Sequence, residues 1–536
     1  MSLYKKLLII FLIVIILLYI KKSYENFYGM DNNLNLFKLT DYKLLFFDIF
    51  YKNNKLYLIL PVYSQDVRFI DNIIITYNRS PLKLSKKIYK IEVEPTLILI
   101  YDLPSNNNYI YITVNYKNLI KTYYLNHINN NNKKTLALTT LFKHDYKLFD
   151  TFYNYYSSQG VEHFFMYYNG KIDNEVRKTL NKKNVNLIEW DFRYWHDPSC
   201  EYKHHAQLGQ MHHAIYRYGK DNFNYMIFCN LDEYMLSPHR KLSSMIYTNY
   251  DTYGFCNLYS ETDQEFKDLP SNIMVSEKLK FKNKSKCIHK LDSIDTININ
   301  YGGKYNKTNP SLYTKNNYLF HFYKFNSNKS INCNKKFDLG FLKKHLLFIH
   351  VPKTGGTMVE ETFLKYGYFV GIFLDKNARS YINNYKCRTW HFPQKHSKIN
   401  FNDYITFIVV REPISRLLSE LNWKHFGYFY KNRFSDINRF VSYHFSKNEI
   451  SYDGDCHLVP QYEYLYDSYG NKVENILNQK TLNKDLEGFI KKYNLDILVS
   501  NKKVNTTTKK YFIEDISYNN LELIKNYYKK DLELFS

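Results

Sequence analysis

The feature that most constrains this chain is a continuous apolar run that ends in a pair of glycines. Leu346-Leu347-Phe348-Ile349-His350-Val351 leads into Pro352-Lys353-Thr354-Gly355-Gly356-Thr357, and Met358 to Tyr366 continues with a helix-compatible pattern. An apolar run bounded by turn residues predicts a strand covered on both faces, as in layered α/β proteins. A strand, a glycine turn and a helix start together make a cradle for phosphate: glycines let the backbone approach, amides at the helix start point at the anion, and the helix dipole favours its charge. Lys353 adds a mobile cation, and Thr354 and Thr357 add hydroxyl donors. The plain alternative is an ordinary tight turn. The spacing is not Gly-x-x-x-x-Gly-Lys-Ser/Thr, which argues against the usual nucleoside-triphosphate loop.

A second motif raises the value of the first. The β-rich run Ile405-Thr406-Phe407-Ile408-Val409-Val410 delivers Arg411-Glu412-Pro413-Ile414-Ser415-Arg416-Leu417-Leu418-Ser419. An Arg at a strand end and a Ser two helical turns later can reach one phosphate. This pair resembles the 5′-phosphosulfate loop and 3′-phosphate motif of the membrane-bound carbohydrate sulfotransferases, and His457 to Gln461 with Tyr464-Leu465 resembles their distal region. The likeness covers about residues 343 to 515. It implies a P-loop-like α/β domain over 340–536 that takes 3′-phosphoadenosine-5′-phosphosulfate. Pro352, Lys353, Thr354, Gly355, Gly356 and Thr357 would hold the 5′-phosphosulfate, with Lys353 also acting in catalysis, and Arg411 and Ser419 would hold the 3′-phosphate. Sulfuryl transfer needs a base for the acceptor hydroxyl, a role suited to His. His391, in Thr389-Trp390-His391-Phe392-Pro393, lies between the two motifs, where related enzymes that use His place theirs. His396 is the alternative, and a packing His is the plain reading of either.

Upstream, the pattern alternates. Leu136–Leu141, His163–Tyr168, Val185–Trp190 and Tyr225–Cys229 have strand character, while Tyr146–Gln159 and His204–Tyr218 have helix character. Such alternation predicts a mostly parallel sheet with helices on both faces. The last strand runs into Asn230-Leu231-Asp232-Glu233-Tyr234, and paired oxygen ligands at a strand end can hold Mn²⁺ or Mg²⁺ against a sugar-nucleotide diphosphate. With Phe142-Lys143-His144-Asp145, Gly160 to Phe165 and Gln207, this run resembles the family 92 type of glycosyltransferase, a GT-A fold, over residues 134–325. Asn230 stands where that family usually has the first Asp, and His144-Asp145 replaces its usual Asn-Glu. The resemblance implies Asn230, Asp232 and a late His321 as metal ligands. His321 reads equally as a core histidine. Glu261 and Asp263 are the candidate acceptor bases, or simply members of a solvated acidic loop.

The rest of the chain frames these domains. Short strands such as Lys55–Leu60 and Tyr109–Val114 predict a small β-rich domain over 41–125, followed by an Asn-rich linker. Leu7–Ile20 is an apolar run bracketed by Lys5-Lys6 and Lys21-Lys22, about 21 Å as helix. No small-residue cleavage pattern follows it. Residues 1–24 therefore read as an uncleaved signal-anchor in preference to a cleaved signal peptide. The 74 Lys+Arg against 51 Asp+Glu leave a formal charge of +23. That favours polyanionic partners, but the positives are scattered and no nucleic-acid motif appears. The 55 Tyr and 38 Phe, with abundant Asn and Lys, suggest an AT-rich lineage, so single residues of these types carry little weight. Among seven Cys at least one is unpaired, and Cys387 and Cys456 flank the C-terminal chemistry where they can pair.

The expectation is a multidomain α/β protein: a membrane anchor, a small β domain, a GT-A-like domain and a sulfotransferase domain, acting on a glycan or glycoprotein. Both resemblances imply type II topology in a Golgi-like secretory lumen. The sequons at Asn78, Asn306 and Asn505 agree with it. Two other readings stand: a middle domain that only binds glycan, motivated by Asn230, and a nucleoside-triphosphatase site, opposed by the loop spacing.

Overall fold

A computed structural model describes residues 32–40, 43–62, 67–89, 96–104, 107–128, 133–192, 206–261, 269–276, 285–297, 311–322, 333, 335–371, 387–423, 433–447, 449–452, 454–499 and 511–535. The expected anchor, Asp263 and the sequons at Asn306 and Asn505 lie outside them. No helix among the described residues is long and apolar enough to cross a membrane. The chain divides into two compact units: residues 1–236 with 249–337, and residues 237–248 with 338–536.

The first unit begins with seven principal strands: β1 (Asp48–Lys52), β2 (Lys55–Pro61), β3 (Ile73–Tyr77), β4 (Leu84–Tyr89), β5 (Thr96–Asp102), β6 (Tyr109–Tyr116) and β7 (Leu119–Asn126). They form two antiparallel sheets, ordered β1-β2-β5-β4 and β7-β6-β3, the second extended by Ser80–Pro81. Asn53 and Asn54 turn the first hairpin with φ of 52° and 56°, a conformation Asn tolerates better than most residues. Along β6 burial alternates, because one face meets the opposing sheet and the other meets water. Along β2 it does not, and the reason is a second core. Leu56, Leu58 and Leu60 pack inside the sandwich. Ile59, with Tyr57 alongside, packs against the following α/β layer.

That layer contains β8 (Lys134–Phe142), α1 (Phe149–Ser158), β9 (His163–Tyr168), β10 (Val185–Glu189), α2 (Ala206–His213), β11 (Phe223–Phe228), β12 (Glu233–Leu236), β13 (Thr252–Glu261), β14 (Lys286–Lys290) and β15 (Ser311–His321). Strands β10, β9, β8 and β11 are parallel neighbours in that order. The expected parallel sheet stops there. β14 pairs antiparallel with β11 and with β13, while β15 runs parallel to β13 and antiparallel to β12. The sheet is mixed because hairpin-like returns, not helical crossovers, build its second half.

A buried ionic cluster joins the sandwich to α2 and its continuation. The Asp48 carboxylate accepts hydrogen bonds from His213 Nε2 at 2.9 Å, from the Asn35 N–H at 2.7 Å and from Arg217 Nη1. Burial opposes ionisation of Asp48, but Arg217, His213 and Asn35 together outweigh it and lower its pKa. Tyr167 donates to His213 Nδ1 at 2.7 Å. Four residues along β1, Lys52 donates to Tyr216 O at 2.7 Å and pairs with Asp221 at 2.5 Å. Gly209 of α2 lies against Phe47, where a Cβ would come within 2.5 Å of the ring.

The second unit has a three-stranded parallel sheet, β16 (His345–Ile349), β17 (Tyr404–Val410) and β18 (Asn475–Asn478). Its helices include α3 (Gly356–Leu364), α4 (Pro413–Leu421), α5 (Arg433–Phe445), α6 (Leu482–Lys492) and α7 (Tyr518–Tyr527). Phe348 and Phe407 face Phe363 and Phe489 on one side of the sheet. Ile349, Ile408 and Val410 face Phe392 and Tyr464 on the other. Both faces are covered, which explains the unbroken apolar runs. Residues 237–248 belong here as well: the His239 N–H donates to Leu342 O at 2.9 Å, and the Arg240 guanidinium lies 4.4 Å from the Tyr368 ring centroid.

Asp48→Ala leaves Arg217 and His213 buried without their carboxylate and is expected to destabilise the first unit by about 3–5 kcal/mol. Asp102→Ala, which removes only the exposed 3.7 Å pair with Lys55, should change stability by less than about 0.5 kcal/mol. Urea denaturation of the two variants beside wild type checks both values.

Candidate functional site

In the second unit the phosphate-type loop is strained and tightly seated. Lys353 has φ of 68° and Gly355 has φ of 96°, so two nearly adjacent residues occupy the left-handed region. Gly accepts this freely, whereas Lys does so at a cost, and such strain is characteristic of ligand-binding turns. Thr354 is fully buried and its hydroxyl donates to Val351 O at 2.9 Å. That hydroxyl therefore shapes the loop from within instead of presenting a donor to an anion. Gly356 opens α3 directly beneath the His350 ring, where a Cβ would fall 2.5 Å from Nε2. His350 in turn donates from Nδ1 to Glu360 Oε1 at 2.9 Å.

Arg411 at the end of β17 meets this loop. Its Nη1 donates to Lys353 O at 3.1 Å, so the two motifs predicted to act together are in contact. The Arg411 peptide is held by the Gln461 side chain: Arg411 N–H donates to Gln461 Oε1 at 2.9 Å, and Gln461 Nε2 donates to Arg411 O at 2.7 Å. Gln461 N–H itself donates to Asp531 at 2.7 Å. Glu412 caps α4 by accepting from the N–H groups of Ile414 and Ser415, and Pro413 occupies the first turn. Ser419 is half-buried in the same helix. Arg416 points elsewhere, buried and donating to Val459 O at 2.6 Å, a packing role.

Lys353 Nζ lies 4.2 Å from the Trp423 ring centroid and 3.9 Å from Glu420 Oε2. Burial lowers its pKa, with Arg411 adding to the effect and Glu420 opposing it. His391 lies next to the loop, its ring 5.0 Å from those of both His350 and His457. Burial pushes its pKa down to about 3, against the raising influence of Asp455. His396 instead faces Tyr452, 3.0 Å from its hydroxyl. Cys387 and Cys456 form a disulfide, bracketing His391 on one side and lying between Asp455 and His457 on the other.

Asp455, His457 and Glu420 complete this cluster. Glu420 is 2.7 Å from His457 Nδ1, so one buried carboxylate serves both that histidine and Lys353. The sequence signal for them was slight: Asp455 and His457 flank a cysteine already suspected of pairing, and Glu420 follows Ser419.

In the first unit the candidate residues gather where β8 and β11, adjacent parallel strands, end. Chain direction across the sheet reverses at β8, and ligands of open α/β sheets bind in the crevice at such a switch point. β11 leads through Asn230 and Asp232 into β12. The turn is fixed by Asn230 N–H donating to Glu233 Oε2 at 2.8 Å and Glu233 N–H donating to Asn230 O at 3.1 Å. Glu233 is thus a structural acid, also 3.6 Å from buried Lys286. His321 lies across from Glu233 in the β12–β15 ladder, and its Nε2 is 3.3 Å from Asp232 Oδ2. Gln207 Nε2 reaches Asn230 Oδ1 at 3.4 Å. Glu261 is two residues along β13 from Tyr259, which pairs with His321.

Asp232 and His321 fit a divalent metal. Burial alone would lower the pKa of His321, yet its bond to Asp232 and the charge of Glu233 outweigh that and raise it. A site that draws in a proton favours a cation. His321 Nδ1 is buried without a hydrogen-bond partner. Asn230 supplies a neutral carbonyl oxygen in place of a second carboxylate.

Residues 132–348 match the model of glycosyltransferase family 92, and residues 342–536 match that of the sulfotransferase family. The chain therefore carries a glycosyltransferase family 92 domain followed by a sulfotransferase family domain, and it is a transferase enzyme. Membership implies a sugar-nucleotide donor for the first domain and 3′-phosphoadenosine-5′-phosphosulfate for the second. No curated protein matches the chain.

Gly356→Ala forces the His350 ring aside and is expected to cost about 1–3 kcal/mol. Gly488→Ala, in α6 with open space around the added methyl, should instead stabilise by about 0.5–1 kcal/mol. Thermal unfolding of the two variants should thus shift in opposite directions.

Proposed function

We propose that this chain is a two-enzyme, glycan-modifying transferase. The C-terminal domain transfers a sulfuryl group from 3′-phosphoadenosine-5′-phosphosulfate to a carbohydrate hydroxyl, and the middle domain transfers a sugar from a nucleotide donor. The observation that carries the first part is the contact of Arg411 with the Lys353 loop. It joins a helix-opening phosphate cradle to a cationic strand end, as a donor phosphorylated at both ends of its nucleoside requires.

The proposed roles are these. Amides of the loop through Thr357, with the Lys353 ammonium, take the 5′-phosphosulfate; Lys353 then offsets the charge that grows on the bridging oxygen as the S–O bond breaks. Arg411 and Ser419 take the 3′-phosphate. His391 accepts the proton of the attacking hydroxyl. Burial lowers its proton affinity, and a polyanionic donor alongside raises it toward the working range of a base. In the middle domain Asp232 and His321, with the Asn230 carbonyl, would hold Mn²⁺ or Mg²⁺, which supplies charge neutralisation of the donor diphosphate. Glu261 or Asp263 would act on the acceptor. A glycan-binding middle domain without catalysis is the second reading, favoured by Asn230 alone.

The chain is proposed to act in a secretory lumen, anchored through residues 1–24. The Cys387–Cys456 disulfide supports this, since such bonds persist in oxidising compartments.

Calorimetry with 3′-phosphoadenosine-5′-phosphate on the full chain should give micromolar binding, weakened about tenfold or more, ~1.4 kcal/mol, by Lys353→Ala or Arg411→Ala. His391→Gln should retain that binding and lose sulfuryl transfer. No binding by folded wild type would sink the sulfotransferase reading. For the middle domain, metal-dependent hydrolysis of a sugar nucleotide, lost in Asp232→Asn, separates catalysis from mere glycan binding.

A further inference from the structure

Three ligand atoms converge beside the phosphate loop with no hydrogen bond to satisfy them among themselves. His457 donates its Nδ1–H to Glu420 Oε2 at 2.7 Å, which leaves Nε2 as the nitrogen available to a metal, and that nitrogen faces Asp455 Oδ2 at 4.0 Å. The same carboxylate oxygen is 3.2 Å from His391 Nδ1. His391 Nδ1 is buried and makes no regular hydrogen bond, while Asp455 still acts on it electrostatically. One atom from each of His391, Asp455 and His457 lies within 4.8 Å of the others. A carboxylate and two imidazole nitrogens placed this way can hold a cation between them.

We propose that His391, Asp455 and His457 form a binding site for a divalent transition-metal ion of the zinc class, separate from the site at Asp232 and His321. Ligand atoms around a tetrahedral zinc lie about 3.4 Å apart; the two contacts to Asp455 Oδ2, at 3.2 and 4.0 Å, are close to this, and the two imidazoles draw together on binding. Two imidazoles with one carboxylate suit zinc better than magnesium or calcium, which prefer oxygen. The surroundings are those of a built site. Glu420 orients His457 through the ring nitrogen that would not bind metal, and the Arg388 N–H fixes the other oxygen of Asp455 at 2.7 Å. The Cys387–Cys456 disulfide ties together the two segments that carry the ligands. The nearest competing cation is the Arg388 guanidinium, 3.7 Å from Asp455 Oδ2 and 5.1 Å from the Trp390 ring centroid, with a side chain 44% exposed.

A functional consequence rests on the reading of His391 as the base. Metal on Nδ1 leaves the ring's proton on Nε2, the atom that would take the acceptor proton. Occupancy therefore blocks sulfuryl transfer while leaving Lys353 and Arg411 available to the donor.

The test is the zinc content of the full chain after equilibration with zinc chloride and gel filtration, for wild type, Asp455→Asn and His457→Gln, with folding checked by circular dichroism. Wild type is expected to retain one equivalent more than either variant, and cobalt substitution of wild type should give the intense visible bands of a tetrahedral site. Zinc should also suppress transfer by wild type at least tenfold, reversibly on chelation, with binding of 3′-phosphoadenosine-5′-phosphate unchanged. Equal zinc content in wild type and folded variants would overturn the site, as would a cobalt spectrum of six-coordinate type only should the variants not fold. Zinc bound at these residues without loss of transfer would uphold the site and instead remove His391 from the base role.

Discussion

A strand that ends in a binding site runs out of neighbours before it runs out of peptide groups, and the second unit solves this with one side-chain amide. Gln461 offers Arg411 an acceptor and a donor, the same two bonds an adjacent strand would supply. The Arg411 peptide is thereby fixed without a further strand occupying the space a nucleotide needs. Its side chain is then aimed at the Lys353 carbonyl, and the loop's left-handed turns are braced from outside. Asp531, near the chain's end, holds Gln461 in turn. The proposed donor site is consequently assembled from four stretches of sequence, although two of them carry the recognisable motifs.

Buried charge has a comparable organising role in the first unit. Asp48 interrupts the apolar stretch Leu44 to Phe50, and by transfer energetics alone it does not belong there. Arg217, His213 and the Asn35 N–H meet it on arrival, and together they fix the register of β1 against the helix that follows β10. An ionic cluster of this kind specifies position more than it adds stability, since apolar residues of equal volume would serve stability as well. The sandwich and the α/β layer share a core through the opposite faces of β2 and β5.

Much of this was legible in the sequence wherever one local pattern sufficed. The runs at 346–351 and 405–410 are strands because both faces are covered, and Gly355 and Gly356 sit where backbone conformation and the His350 ring demand them. The parallel strands β8, β9, β10 and β11 also appear close to their expected limits. What escaped was whatever depended on distant segments meeting. Asp455, His457 and Glu420 are separated by tens of residues from His391 and Lys353; His457 opens the distal segment and flanks Cys456 with Asp455, but nothing local marks any of the three as a partner of His391 or Lys353. Asp48 stands as an acid inside an apolar strand, but its partners Arg217 and His213 lie more than 160 residues away. The antiparallel half of the first sheet was not legible, because β13, β14 and β15 are placed by pairings between distant segments and not by a local alternation of strand and helix. The pairing of Cys387 with Cys456, raised from their placement alone, is what the structure contains.

The assignment of residues 237–248 to the second unit has a genetic consequence. In chain order this segment lies inside the glycosyltransferase family region, between β12 and β13, yet it packs with the strand that opens the sulfotransferase domain. No single break in the gene separates the two units intact: a cut after residue 337 leaves the second unit without His239 and Arg240, and a cut before 237 takes β13, β14 and β15 from the first. The two domains are therefore inherited as one piece, interleaved in chain order and not merely joined end to end.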